Sequence, residues 1–322
     1  MMKNAIRILT FILLSLGVAT GAKAQTSVNY SGSGDPVDCP LASDGGIGSV
    51  SMDNDRRSNR ARCVTDLDRF KIDLYKIGIC RSAPDSTNPA SDWTSKCVFI
   101  LDRTTALETE LTPTSSVDVA SYVDLSSLTE GTYTHAGLMI GNTMYSQMRK
   151  QFAQTFMGRT SVGSYCYSID GAEYLDNRPT RAQLATECVA SEAAMDSAGN
   201  HGYMARTQDN FGGSVSKIAG DGANVYLMAD ESTLATLSGS SSNATRLAGV
   251  IAFDTSKVIS ANTVSVNLGF QLTDQGQVQF STSDDGSGEC TATLRVAADS
   301  TSTVACINAM RNYGVGFRFT VQ

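Results

Sequence analysis

Eight cysteines, at positions 39, 63, 80, 97, 166, 188, 290 and 306, carry most of the reactive chemistry in this chain. Thiols at this density either cross-link or hold a metal. Zinc sites need closely spaced ligands such as C-x2-C, and no two cysteines here lie that close. Structural bridges are the expected outcome. Spacing alone leaves 105 connectivities open. Pairing of sequence neighbours is favoured, because each pair brackets a polar stretch: Cys39–Cys63, Cys80–Cys97, Cys166–Cys188 and Cys290–Cys306. Each closure would contribute about 3 kcal/mol in the loop-entropy picture. Bridges persist outside the cytosol, and residues 1–24 supply the means of getting there. Lys3 and Arg7 precede the apolar run Ile8–Val18, and Ala22-Lys23-Ala24 is a small-x-small cleavage site before Gln25. This is a signal peptide. The mature chain is expected to be secreted, to the periplasm, the cell surface or the medium.

Acid–base chemistry is constrained by the histidines, of which there are two, His135 and His201. Alternation places His135 on one strand face with Tyr133, Gly137 and Met139. It reads as a buried, hydrogen-bonded histidine in preference to a ligand or base. His201 lies between Asn200 and Gly202 and reads as a solvated loop residue. The chain has no G-x-S-x-G elbow, P-loop, H-E-x-x-H or C-x-x-C. Gly46-Ile47-Gly48 begins a dinucleotide fingerprint, but Ser51 stands where its third glycine belongs. The remaining candidates are carboxylates. Asp284, Asp285 and Glu289 form an acidic turn before Cys290, and Asp53, Asp55, Asp66 and Asp68 form a second group near Cys63. Calcium takes clustered oxygen ligands. Neither group has EF-hand spacing, so an exposed turn is the favoured reading and calcium the weaker one. No other metal or cofactor is expected. Two carboxylates could also serve a glycosidase. Sugar clefts usually present aromatics, however, and Trp93 is the single tryptophan. It reads as packing over the Cys80–Cys97 bridge.

Removing the three basic residues of the signal leaves 22 basic against 32 acidic residues, a net charge of −10 over 298 residues. Such a chain repels nucleic acid and anionic membranes. Hydrophobic content of 41% is enough for a real core, so the bridges assist folding without replacing it. After the signal, no apolar run is long enough for a transmembrane helix.

The elements that must position these residues are mostly strands. Phe70, Ile72 and Leu74 alternate on one parity and Tyr75, Ile77 and Ile79 on the other, which places a bulge near Tyr75. Cys97–Leu101 is a fully apolar run, and Val117, Val119, Val123 and Leu125 share a parity. Met144, Met148, Phe152 and Phe156 recur every four residues, which fits a helix over 143–160 as well as a strand pair. Thr180–Met195 carries helical spacing. Val264 to Leu272, the turn Asp274-Gln275-Gly276, and Val278 with Phe280 read as a hairpin. Tyr313, Val315, Phe317, Phe319 and Val321 form a last strand. The fold class is mainly β: a disulfide-stapled β-sandwich, one large or two smaller, with one or two short helices. An outer-membrane barrel is the rival, but residues 171–222 break its repeat. The organisation expected is a signal at 1–24, an irregular segment at 25–64, sandwich parts at 65–170 and 223–322, and a loop and helix excursion at 171–222.

The segment Leu128-Thr129-Glu130-Gly131-Thr132-Tyr133-Thr134 resembles the L-x-x-G-x-Y-T turn-strand of secreted bacterial β-sandwich modules of the carboxypeptidase-regulatory and prealbumin-like kinds. The resemblance implies that Gly131 makes the turn, that Tyr133 enters the core, and that the module is non-catalytic. The chain as a whole resembles secreted proteins of aquatic bacteria.

These readings converge on an exported protein that works by contact: a fibre, coat or adhesin-like subunit meeting copies of itself or cell-surface proteins and glycans. A carboxylate-dependent hydrolase acting on glycans and a small-ligand binder with a pocket beside His135 and Tyr133 are the alternatives. A fibre subunit should expose long edges or donate the segment 313–321. A hydrolase should hold two carboxyl groups about 5–10 Å apart in a cleft. A binder should have a pocket of a few hundred Å³.

Overall fold

The computed structural model describes residues 37–48, 60–84, 93, 95–113, 116–117, 128–175, 181–207, 217–220, 223–228, 245–263, 265–281, 306–312 and 316–321. The fold is mainly β. A seven-stranded sheet runs in the order β1 (Val37–Asp38), β2 (Arg60–Thr65), β16 (Gly276–Ser281), β17 (Cys306–Asn312), β8 (Arg149–Met157), β9 (Val162–Ser168) and β10 (Thr186–Val189). An eight-stranded sheet follows β11 (Met204–Thr207), β7 (Thr143–Gln147), β3 (Arg69–Cys80), β6 (Gly131–Gly141), β14 (Arg246–Ile259), β13 (Ala223–Met228) and β12 (Lys217–Gly220), with β4 (Cys97–Leu111) also paired to β3. A small third sheet joins β18 (Gly316–Val321), β15 (Val266–Gln271) and β5 (Ser116–Val117). Pairing is antiparallel except for β1 with β2 and β17 with β8.

The pattern of β3 explains how the sheets are held. Phe70, Ile72 and Leu74 point into one apolar cluster, and the register slips between Leu74 and Lys76. The bulge sends Tyr75 to the opposite face and returns Ile77 and Ile79 to the first. The sequence parity switch is therefore a real bulge. The cluster draws side chains from all three sheets: Phe152, Phe156 and Phe280 from the first, Leu138 from the second, Leu268 and Phe270 from the third. Phe152 and Phe156 meet edge to face at 4.9 Å, and Phe280 lies 5.2 Å from Phe156. Burying one such side chain contributes about 1.5–3 kcal/mol.

Three of the expected bridges join neighbours: Cys39–Cys63, Cys80–Cys97 and Cys166–Cys188. Cys306 is also disulfide-bonded. Cys290, Asp284, Asp285, Glu289, Asp53, Asp55, the signal segment 1–24 and the run from Val119 to Leu125 lie outside the described residues.

Several expectations are corrected. Of the two readings left open for 143–160, the strands are found, as β7 and β8, and the helix is not. A spacing of four is also two strand repeats, and Phe152 and Phe156 use it to reach the core. Among the described residues 181–196 there are a 3-10 turn at Arg181–Gln183 and a helix, α1, at Glu192–Asp196, with β10 between them. The supposed hairpin is a corner: β15 pairs with β18 and β5, whereas β16 pairs with β2 and β17. Asp274 turns that corner in the left-handed region at φ 57°. The terminal strand β18 is paired within the chain to β15 and stands at the edge of its sheet.

Tyr133 enters the core as the turn-strand resemblance implies, whereas Gly131 is the first residue of β6 and pairs with Ile259. Gly131 has φ 154°, and Tyr133 is fully buried with its hydroxyl donating to the Thr129 carbonyl at 2.5 Å. His135 and Tyr133 do not share a face. Opposite Thr134, β14 inserts residues 253–256 between Ala252, which pairs with His135, and Lys257, which pairs with Tyr133. Tyr133 goes to the main cluster, while Gly137 and Met139 go to a second one around Trp93.

Candidate functional site

An open cleft of about 700 Å³ lies where α1 meets the start of β3 and the strands β7, β8 and β9. Its polar lining comes from segments far apart in sequence: Asp68 and Arg69, Gln147, Arg149 and Gln151, Tyr165, Glu192 and Asp196, and His201. Strand register explains part of this. Tyr165 stands opposite Gln151 across β8 and β9, and Tyr167 opposite Arg149. Alternation puts all four on one side of the sheet.

The helix is fixed by its cap. The Ser191 side chain accepts the Ala194 N–H at 3.2 Å, and Met195 is buried beneath. The chain then turns back through Asn200, His201 and Gly202. Ser168 anchors this return by donating its hydroxyl to the Gly202 carbonyl at 2.7 Å while accepting the Met148 N–H at 3.1 Å. The Tyr203 N–H donates to Asp170 at 3.0 Å. His201 is thus held, not solvated as its sequence neighbours imply. Its Nε2 lies 3.0 Å from Gln147 Nε2, and its ring meets Tyr167 edge-on at 5.6 Å. With the amide nitrogen facing it, Nε2 accepts and the neutral ring keeps its proton on Nδ1. Burial, assisted by Arg149, holds the imidazole below its ordinary range, against a smaller opposite pull from Asp68.

Two of the cleft's carboxylates are occupied. Asp68 accepts the Arg149 backbone N–H at 2.5 Å through Oδ2 and pairs with Lys150 Nζ at 3.1 Å through Oδ1. Asp196 pairs with the Arg149 guanidinium. Arg69 pairs with Glu110 at 2.8 Å. Glu192, in the first turn of α1, makes no ion pair among the described residues.

The acidic group near Cys63 does not act together. Asp68 serves the cleft, while Asp66 accepts the Asp274 N–H at 2.9 Å. Among the described residues no three metal-ligating side chains converge. His135 lies outside the cleft and accepts or shares a proton with the Thr134 hydroxyl at 2.8 Å. Burial lowers its pKa. Trp93 is 1% exposed, packed on Phe99 and on the Cα of Gly137, with Cys80 and Cys97 in the same cluster. It is the packing residue the sequence suggests.

Sequence reading missed Gln147, Arg149, Gln151, Tyr165, Glu192 and Asp196. Nothing in their local spacing marks them, because strand pairing and the α1 return bring them together. No family model matches this chain, and neither curated proteins nor solved structures show a significant likeness to it.

Proposed function

We propose that this is an exported, non-catalytic recognition protein that meets a protein or glycan partner through the cleft beside His201. The carrying observation is the state of its charges. Asp68 and Asp196 are each committed to a cation, and His201 to Gln147. General acid–base work needs a group free to take or give a proton at the reacting atom. Here those groups hold the walls of the cleft in place instead, as binding sites require. Three cross-links among the described residues suit a scaffold working outside the cytosol. The leader at residues 1–24 supports the same reading. A sandwich arrangement of the sheets belongs to this proposal too, supported by the single cluster fed from all three.

One observation favours the carboxylate hydrolase as second reading: Glu192 shares the cleft with Asp68 and Asp196 and is unpaired among the described residues. Purified protein incubated with a broad set of polysaccharides separates the two. Retention without product formation supports recognition. Product formation lost in Glu192→Gln establishes the hydrolase.

A further inference from the structure

Resting on the reading of this cleft as a recognition site, we infer that its ligand is a neutral, hydroxyl-rich saccharide. Charge comes first. Arg69 with Glu110, Asp68 with Lys150 and Asp196 with Arg149 form three closed pairs, leaving Glu192 as the open charge among the described residues that line the cleft. An anionic ligand would meet Glu192 and the two aspartates. A cationic ligand would meet Arg69 and Arg149. A neutral one meets neither conflict.

Hydrogen-bonding capacity comes second. The Gln151 amide nitrogen donates to Asp44 at 2.8 Å and the Gln147 amide nitrogen faces His201. Both carbonyl oxygens remain as acceptors beside the Glu192 carboxylate. Donors remain as well, on the guanidinium of Arg149 and the phenol of Tyr165. Such a mixture fits groups that donate and accept at once, which is the property of a hydroxyl. Vicinal hydroxyls suit planar amide and guanidinium edges, because two parallel bonds can form.

Shape comes third. Tyr165, half-buried, stands directly across from Gln151 in the strand register, so an aromatic and a planar polar side chain both line the cleft from neighbouring strands. A pyranose offers just such a pair of surfaces, an apolar C–H face and a hydroxyl rim. A volume of about 700 Å³ has the scale of a small-ligand site. Among the described residues that line it, the only aliphatic side chain is Met195, which is itself buried. Protein partners would need a large apolar anchor of the kind that dominates their interfaces, so the saccharide is the better fit.

The test is calorimetric titration of the exported form, residues 25–322, with three oligosaccharide sets: neutral hexose oligomers, uronate oligomers and glucosamine oligomers. Saturable binding is expected for a neutral set alone. Tyr165→Ala and Gln151→Ala should each weaken it about tenfold. Tyr165→Phe, which keeps the ring, should retain most of it, and Arg103→Ala on β4, outside the cleft lining, should leave it unchanged. Unfolding midpoints confirm that each variant is folded. Binding confined to a charged set, no saccharide binding at all, or binding indifferent to Tyr165 and Gln151 would overturn the inference. A protein partner that cross-links at Tyr165 would sink the saccharide and leave recognition standing. Cleavage of the oligomers would sink recognition itself.

Discussion

The imidazole of His201 lies 3.0 Å from the side-chain amide nitrogen of Gln147, tying the return from α1 to the end of β7. One wall of the cleft is thereby fixed to another by a contact that needs a neutral ring. Burial holds the His201 pKa below the unfolded value near 6.5. Between the two values the unfolded chain binds the proton and the folded chain does not, so stability falls as pH drops below about 6.5 and levels once the folded pKa is passed. His135, lowered by burial, adds to the same slope. Thermal unfolding across pH 5–8 should show this loss, and His201→Gln should flatten part of it. An unchanged slope in the variant would show that His201 does not titrate as described.

A second prediction concerns Glu187, buried on β10. Its carboxylate accepts the N–H groups of Thr160 and Ser161 at 2.9 and 3.0 Å and both of their hydroxyls, at 2.6 and 3.0 Å. Glu187→Ala removes the acceptor of both backbone N–H groups and of the Thr160 hydroxyl, while the Ser161 hydroxyl keeps the Cys188 carbonyl at 2.6 Å. Hydrogen bonds to charged groups are worth about 1.5–3 kcal/mol each and are not additive, so a loss of about 3 kcal/mol or more is expected in denaturant unfolding. A loss under about 1 kcal/mol would mean that the turn finds other partners.

Asp274 should be improvable. It turns the corner between β15 and β16 at positive φ, and burial first, then Asp66 and Asp38, raise its carboxyl above the ordinary range. A raised folded pKa in an acid means that its charge destabilises the fold above the unfolded value near 3.8. Asp274→Asn keeps a residue that tolerates this φ and removes the charge. The unfolding midpoint at pH 7 should rise by about 1–2 °C, and the gain should vanish near pH 3. A lower midpoint at pH 7 would contradict this account of the corner.

Trp93 closes the far face of the eight-stranded sheet over Gly137, where an added Cβ would lie 3.2 Å from the indole. Trp93→Ala should cost about 3–5 kcal/mol, as for large buried aromatics. Gly137→Ala should displace the indole, shifting its fluorescence while the cleft still binds. Full retention of stability in Trp93→Ala would place the ring outside the core.

What the sequence revealed follows from range. Alternation in β3 disclosed the bulge at Tyr75 because a parity switch is a local signal. Neighbour pairing of cysteines was legible for the three described bridges because each spans a short excursion between strands. The Asp274 corner was misread as a hairpin because a tight turn between alternating runs has the same signature whether the strands pair or part. The face shared by His135 and Tyr133 failed because three extra residues on β14, invisible in β6 itself, change the register between them. The cleft was least legible. Tyr165 and Gln151 are partners only through strand pairing, and Glu192 joins them only because Ser168 and Asp170 pin the α1 return.

The most direct test of the account is to saturate the protein with a neutral oligosaccharide and then analyse the recovered ligand by mass spectrometry. Saturable binding with the oligosaccharide returned intact is the expected result. Shortened oligosaccharide that disappears in Glu192→Gln would contradict it, and the cleft would be an active site.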